Sequence, residues 1–322
     1  SIDRLVNLRK ERMMFRIKSW MIMTGLVGLF ALISYVFFGW TVALLVLGVS
    51  MVMTRFSSGY TVPLILKMHK ARLLSSWEFP DLHAMAERLA RRADMPMPVL
   101  AYYPSDMPNA FALDGGPGNQ VVAVSSSLFQ MLDRRELTGV LAHEFAHLKN
   151  KDSRINLSAG MFVQTISTMA TFINIVLFFM LLTGAWNLSL FQVVLALGVV
   201  GLAPYAASAL HAALSREREW LADYESVRLA GDPRGLASAQ YKMQEYSRYL
   251  ARYLRRFQFI YTVDLEQGPA WLRTHLSTED RVAKLLAYEG ATTHQTSEIA
   301  ENRPAIPRRR SGVVHIPIRY VA

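Results

Sequence analysis

Two long stretches of the chain are free of charge: residues 19–54 and residues 155–215 contain no Asp, Glu, Lys or Arg. About 20 apolar residues cross the hydrocarbon core of a bilayer as a helix, so each stretch is long enough for two spans. Residues 19–54 are expected to form a transmembrane hairpin turning near Gly39-Trp40. A cleaved signal peptide is the competing reading. It is disfavoured because no small-residue cleavage pattern follows and a second apolar stretch comes directly after. Residues 156–214 are expected to form a second hairpin, with spans at 157–182 and 189–210 and a turn at Gly184-Ala185-Trp186-Asn187. A soluble core seldom buries so many consecutive uncharged residues.

Between the hairpins, residues 55–155 read as globular. Residues 78–95 fit an amphipathic helix with Leu82, Met85, Ala86 and Leu89 on one face. Residues 99–103, 109–113 and 120–125 read as short strands, the last two joined by the glycine-rich turn 114–119. A small antiparallel sheet is the expectation. Asp133 followed by Glu136 has the spacing of a capping box, which predicts a helix from about Arg134 to Lys151. Residues 215–290 read as helical, with Asp232-Pro233 in N-cap and first-position order. Tyr241, Met243, Tyr246, Tyr249, Leu250 and Tyr253 fall at helical spacing there, a packing or membrane-interface stripe rather than a cofactor cage. Residues 291–322 form a basic, Pro-containing tail.

Charge adds an orientation. Residues 1–18 carry Arg4, Arg9, Lys10, Arg12, Arg16 and Lys18 against Asp3 and Glu11. Lys149, Lys151 and Arg154 precede the second hairpin, Arg216 and Arg218 follow it, and neither inter-span turn is positive. Positive loops stay inside, so both termini and every globular segment are expected in the cytoplasm. The chain of 322 residues is 52% hydrophobic with a formal net charge of +10. No basic patch interleaved with aromatics is visible, so nucleic acid is not an expected partner. Arg308-Arg309-Arg310 after two prolines suits anionic lipid headgroups or a partner, and equally fits a solvated, disordered end. With no Cys in the chain, disulfides, thiolate zinc sites and a cysteine nucleophile are excluded.

The chemistry-bearing stretch is His143-Glu144-Phe145-Ala146-His147, inside the helix predicted from the capping box. Two His at i and i+4 lie about one turn apart on one face and can reach one metal ion. Glu144 projects about 100° round from His143, where it can touch a metal-bound water without taking a ligand position. That pattern points to a zinc hydrolase with a Glu general base. A third ligand is needed, and without Cys a carboxylate suits. After the second hairpin, Glu219 and Asp223 stand at i and i+4. The Glu can ligate and the Asp can orient a ligand His; equally, the pair fits a solvated helix face. His69, His83, His211, His294 and His315 have no ligand-like spacing.

His143-Glu144-Phe145-Ala146-His147, followed across a hydrophobic hairpin by Glu219-Trp220-Leu221-Ala222-Asp223, resembles the HtpX group of membrane zinc metalloproteases, relatives of the type I CAAX prenyl proteases. The resemblance covers about residues 20 to 290 and includes Asn109-Ala110-Phe111-Ala112, Gly115-Gly116 and Thr274-His275…Arg281-Val282. It implies one zinc ion held by His143, His147 and Glu219, Glu144 as general base and Asp223 in support. It implies further that Asn109, Ala110, Phe111 and Ala112 form an edge strand for substrate backbone, and that His275 helps stabilise the oxyanion. The family's His-Pro is His275-Leu276 here.

The resulting expectation is a predominantly α integral membrane protein with about four transmembrane helices. It would carry a zincin-like α+β catalytic domain, split into 55–155 and 215–290 by the second hairpin. The implied activity is zinc-dependent endopeptidase action on misfolded or damaged membrane proteins at the cytoplasmic face of a bacterial inner membrane, linked to quality control and stress. Two rivals stand beside it. A prenyl-peptide protease would need a large intramembrane chamber, for which four spans are few. A non-catalytic zinc-binding scaffold would normally show damage at Glu144 or a ligand. Oligomeric state is not legible.

Overall fold

The computed structural model describes residues 2–116, 118–184, 190–255 and 277–288. These fall into two compact units, and α1 (Ile2–Met68) and α6 (Leu190–Ala230) each contribute residues to both.

The first unit combines α1 up to residue 61, α5 (Asp152–Thr183) and α6 up to residue 221. Helical geometry in α1 breaks at Gly39 (φ 76°, ψ 175°), where the hairpin was expected to turn. Only glycine adopts such a backbone without strain. Leu26, Phe30 and Ile33 of α1 meet Ala159, Phe162, Ile166 and Ala170 of α5 and Val200, Ala203 and Ala207 of α6 in one apolar cluster. Phe30 and Phe162 meet edge to face, ring centroids 5.5 Å apart. Phe172, Phe178, Phe179 and Leu182 of α5 are exposed. A helix apolar all round suits lipid rather than water.

Among the described residues, two helices are long and apolar enough to cross a membrane, Met13–Tyr35 and Asp152–Thr183. They coincide with the first and third predicted spans. Residues predicted for the second and fourth are helical in α1 and α6, but the side chains of 49–61 and 190–196 lie outside the described part. So do residues 185–189 of the expected turn. The α6 helix runs without a break through residue 215, because nothing between Ser215 and Asp223 disfavours helix.

The second unit holds a four-stranded sheet and the remaining helices. Its strands are β1 (Arg72–Leu73), β2 (Val99–Tyr103), β3 (Ala110–Asp114) and β4 (Gln120–Ser125), in the order β1-β2-β4-β3. The expected antiparallel hairpin exists: Ala110 faces Val124 and Asp114 faces Gln120. Its turn closes with Gly115 N–H on Asn119 O at 3.0 Å and Asn119 N–H on Gly116 O at 3.0 Å. The sheet as a whole is mixed, not antiparallel, because β2 pairs with β4 in parallel. The reason lies in β4. Val121, Val122, Ala123 and Val124 are all buried, so this strand is apolar on both faces and takes a central place. The less buried β3 is left at the end of the order.

One sheet face packs on α2 (Pro80–Ala93) and α4 (Arg134–Asn150), through Leu100, Val122 and Val124 against Leu82, Met85, Leu89 and Phe145. The other meets Val62 and Leu66 of the last turns of α1, through Ala101, Tyr103 and Ala123. The unit also contains α3 (Ser126–Met131), α7 (Pro233–Arg255) and α8 (Thr278–Ala287). In α7, Met243 packs against the core while Tyr241 and Tyr249 are exposed.

Candidate metal centre

Local chemistry starts α4 at a defined residue. Asp133 N–H donates to Glu136 Oε2 at 3.0 Å, and Glu136 N–H donates to Asp133 Oδ1 at 2.8 Å. This reciprocal capping box is the one legible in the sequence, and it sets the phase of everything that follows on the helix. Ten residues on, His143 and Glu144 are each 8% exposed.

The two imidazoles converge. His143 Nε2 and His147 Nε2 are 3.0 Å apart, and the rings are nearly perpendicular at 88°. His143 Nδ1 lies 3.0 Å from Asp223 Oδ1 on α6. Asp223 is 2% exposed and receives Arg281 Nε at 2.8 Å, Arg281 Nη2 at 2.7 Å and Gln240 Nε2 at 3.2 Å. Burial alone would raise its pKa, but the Arg281 guanidinium and His143 outweigh that and hold the carboxyl below its ordinary value. An ionised carboxylate can only accept, so Nδ1 of His143 carries the ring proton and Nε2 keeps its lone pair.

Glu219 stands one helical turn before Asp223 on the same unbroken helix, so helix geometry alone keeps the two on one face. One ligand atom each from His143, His147 and Glu219 lie within 4.8 Å of one another. The donor set is two imidazoles and a carboxylate, with one imidazole already oriented through its other nitrogen. That fits Zn²⁺, which takes nitrogen and carboxylate oxygen ligands and in catalytic sites uses three from the protein.

Glu144 is felt at the sheet. Burial pushes the Tyr103 phenol up to about 12, and the charge of Glu144 adds to this, against hydrogen bonding with Asn109 and Ser125. Tyr103 donates to Asn109 O at 3.2 Å. Asn109 N–H donates to Ser125 Oγ at 2.9 Å, which fixes the start of β3. Ala110, Phe111 and Ala112 lie in β3 itself, the terminal strand of the sheet. His275 lies outside the described residues, as does the tail 291–322. Arg281 and Gln240 received no role from sequence reasoning. Arg281 was visible only as part of the family's motif, and Gln240 had no local signal.

Comparison with known proteins adds a family. The sequence profile of Peptidase family M48 matches residues 76–289. A "Protease HtpX homolog" of Pyrococcus abyssi is 36% identical over 281 residues, covering 84% of this chain and 94% of that protein. One of Salinibacter ruber is 36% identical over 270 residues, covering 82% and 94%. The crystal structure of S. mikatae Ste24p is similar at a TM-score of 0.49 and 18% identity, covering 87% of this chain and 67% of that one.

Proposed function

We propose a specific reaction on the premise that this chain belongs to peptidase family M48, as a metalloendopeptidase: it cleaves peptide bonds in cytoplasmic segments of misfolded or damaged membrane proteins. The observation that carries the reading is the convergence of His143, His147 and Glu219, with Glu144 on the same helix as both imidazoles. Those three residues would hold one zinc ion. When bound, the ion supplies electrophilic polarisation of the scissile carbonyl and a lower pKa for water.

The rest of the chemistry belongs to the chain. Glu144 takes the proton from the attacking water and later delivers it to the leaving amine. Its burial keeps the carboxylate from bulk water, where proton transfer would be unselective. Asp223, held anionic by Arg281, keeps the His143 proton on Nδ1 so that Nε2 is left to ligate. The end of the sheet at β3 pairs with substrate backbone, with Asn109 to Ala112 as the recognition strand. His275 carries, by the family resemblance, the role of stabilising the oxyanion. The apolar helices Met13–Tyr35 and Asp152–Thr183 anchor the enzyme in the inner membrane, with the site and both termini on the cytoplasmic side.

The test is cleavage of an unstructured fluorogenic peptide by the full chain in proteoliposomes. A zinc chelator should abolish cleavage, and stoichiometric zinc should restore it. Glu219→Gln should weaken zinc binding and resist restoration. Cleavage that persists at full rate in chelator, with no zinc bound, would contradict the proposal.

A further inference from the structure

Within the first unit, α5 and α6 share a buried ion pair that the proposed reaction leaves without a role. Arg218 Nη2 donates to Asp152 Oδ1, and the residues are 5% and 2% exposed. Such a pair is a poor stabiliser compared with apolar side chains of similar volume, because desolvating two charges offsets their attraction. It does penalise every arrangement that separates the charges, since a buried charge left unpaired is costly.

Its place in the chain gives that penalty a use. Asp152 opens α5 five residues after His147, and Arg218 immediately precedes Glu219. Between His147 and Asp152 the helix is interrupted once, at Lys151, whose backbone is left-handed (φ 58°). The pair therefore clasps two stretches of chain at residues beside the ligands, and it does so with protein groups alone. Consecutive residues of an α-helix are rotated by about 100°. Arg218 can thus hold α6 without competing for the direction Glu219 takes. A slip of one residue in α6 would swing the Glu219 carboxylate round by that angle.

We propose that the Asp152–Arg218 pair is a positioning device for Glu219. It fixes the rotation and axial register of α6 before any metal ion arrives, so the carboxylate is ready as a ligand. The inference rests on the reading of Glu219 as a ligand. The neighbouring Lys18–Glu217 pair, 3.4 Å apart with Lys18 exposed, offers a contrast on the same helix. Exposed pairs constrain little.

The experiment uses the full chain in nanodiscs. Zinc affinity is read by competition with a chromogenic chelator, and melting of the zinc-free protein by circular dichroism. The key variant is the double apolar replacement Asp152→Leu/Arg218→Met, which removes both charges together. Arg218→Lys keeps the charge, and Lys18→Ala is the control. The double variant should melt within a few degrees of wild type in the zinc-free state, yet bind zinc at least about tenfold more weakly. Its kcat on an unstructured peptide should fall with KM little changed. Arg218→Lys should recover part of the affinity, and Lys18→Ala should match wild type.

Wild-type zinc affinity in a folded double variant would overturn the proposal. So would a loss of affinity no larger than the unfolded fraction of the zinc-free protein explains. If the double variant does not fold, Arg218→Lys decides. Weaker zinc binding with unchanged zinc-free melting supports the clasp, and unchanged binding overturns it. Glu219→Gln separates the two levels of the argument. If it binds zinc like wild type, the ligand assignment itself fails. If only Glu219→Gln weakens zinc, the ligand assignment stands and the clasp falls.

Discussion

At His143, one contact decides which ring nitrogen is available to a cation. Asp223 occupies the Nδ1 side at 3.0 Å, Arg281 keeps it charged in a buried position, and Gln240 donates a further hydrogen bond to it. An Asp223→Asn change would keep the shape and lose the charge. It would leave Arg281 facing a neutral amide and let His143 take either tautomer. We expect zinc affinity to fall by about 10–100-fold in this variant, measured by chelator competition. Wild-type affinity would show that the ring needs no such partner. The convergence of His143 and His147 was legible because one helical turn brings i and i+4 together, a local rule. Glu219 and Asp223 were legible as a pair for the same reason, but their connection to α4 came only through the family resemblance. Arg281 reaches Asp223 from 58 residues away and Gln240 from 17, and no spacing in the sequence encodes either contact.

Helix α4 is held to α7 by side chains at its first turn. Its capping box was legible because Asp133 and Glu136 satisfy each other's backbone donors within one turn. Glu136 then does a second job: Ser238 Oγ donates to it at 2.6 Å and Lys242 Nζ lies 2.8 Å away, tying α4 to α7. Burial raises the Glu136 pKa, but hydrogen bonds from Lys242, Ser238 and the Asp133 amide outweigh it, so the net shift is downward. A lowered folded-state pKa gives stability that is complete above the unfolded value and lost as pH falls through the folded one. In the zinc-free protein, urea-unfolding midpoints should therefore drop as the pH falls below the ordinary carboxylate range, with a shallower drop in Glu136→Gln. Equal slopes would remove Glu136 from the acid sensitivity.

The same helix meets α7 at Gly139, where an added Cβ would lie 2.7 Å from Leu236 N and 2.9 Å from Leu236 Cα. Both are backbone atoms and cannot swing aside. Gly139→Ala should cost about 1–3 kcal/mol by this overpacking, despite alanine's better helix propensity, as read from urea melts. A gain in stability would mean that α7 is free to shift. That close approach was illegible, as was the parallel β2–β4 pairing. Period-two alternation tells which face of a strand is buried, not which way its partner runs. The β3–β4 hairpin was legible because Asp114 to Asn119 spells out its own turn.

For the molecule as a whole, the charge-free stretches foretold apolar helices, and Met13–Tyr35 and Asp152–Thr183 have the length and composition to span a bilayer. Phe172, Phe178 and Phe179, exposed on Asp152–Thr183, have no reason to face water. The chain expressed in bacteria should stay in the membrane pellet after an alkaline carbonate wash. Release into the supernatant would argue against integral anchoring. The most direct measurement is of Glu144→Gln in proteoliposomes, with bound zinc and peptide cleavage determined on the same sample. One zinc per chain with cleavage reduced by about two to four orders of magnitude is the predicted result. Cleavage near the wild-type rate, with zinc bound, would contradict the assignment of Glu144 as the base.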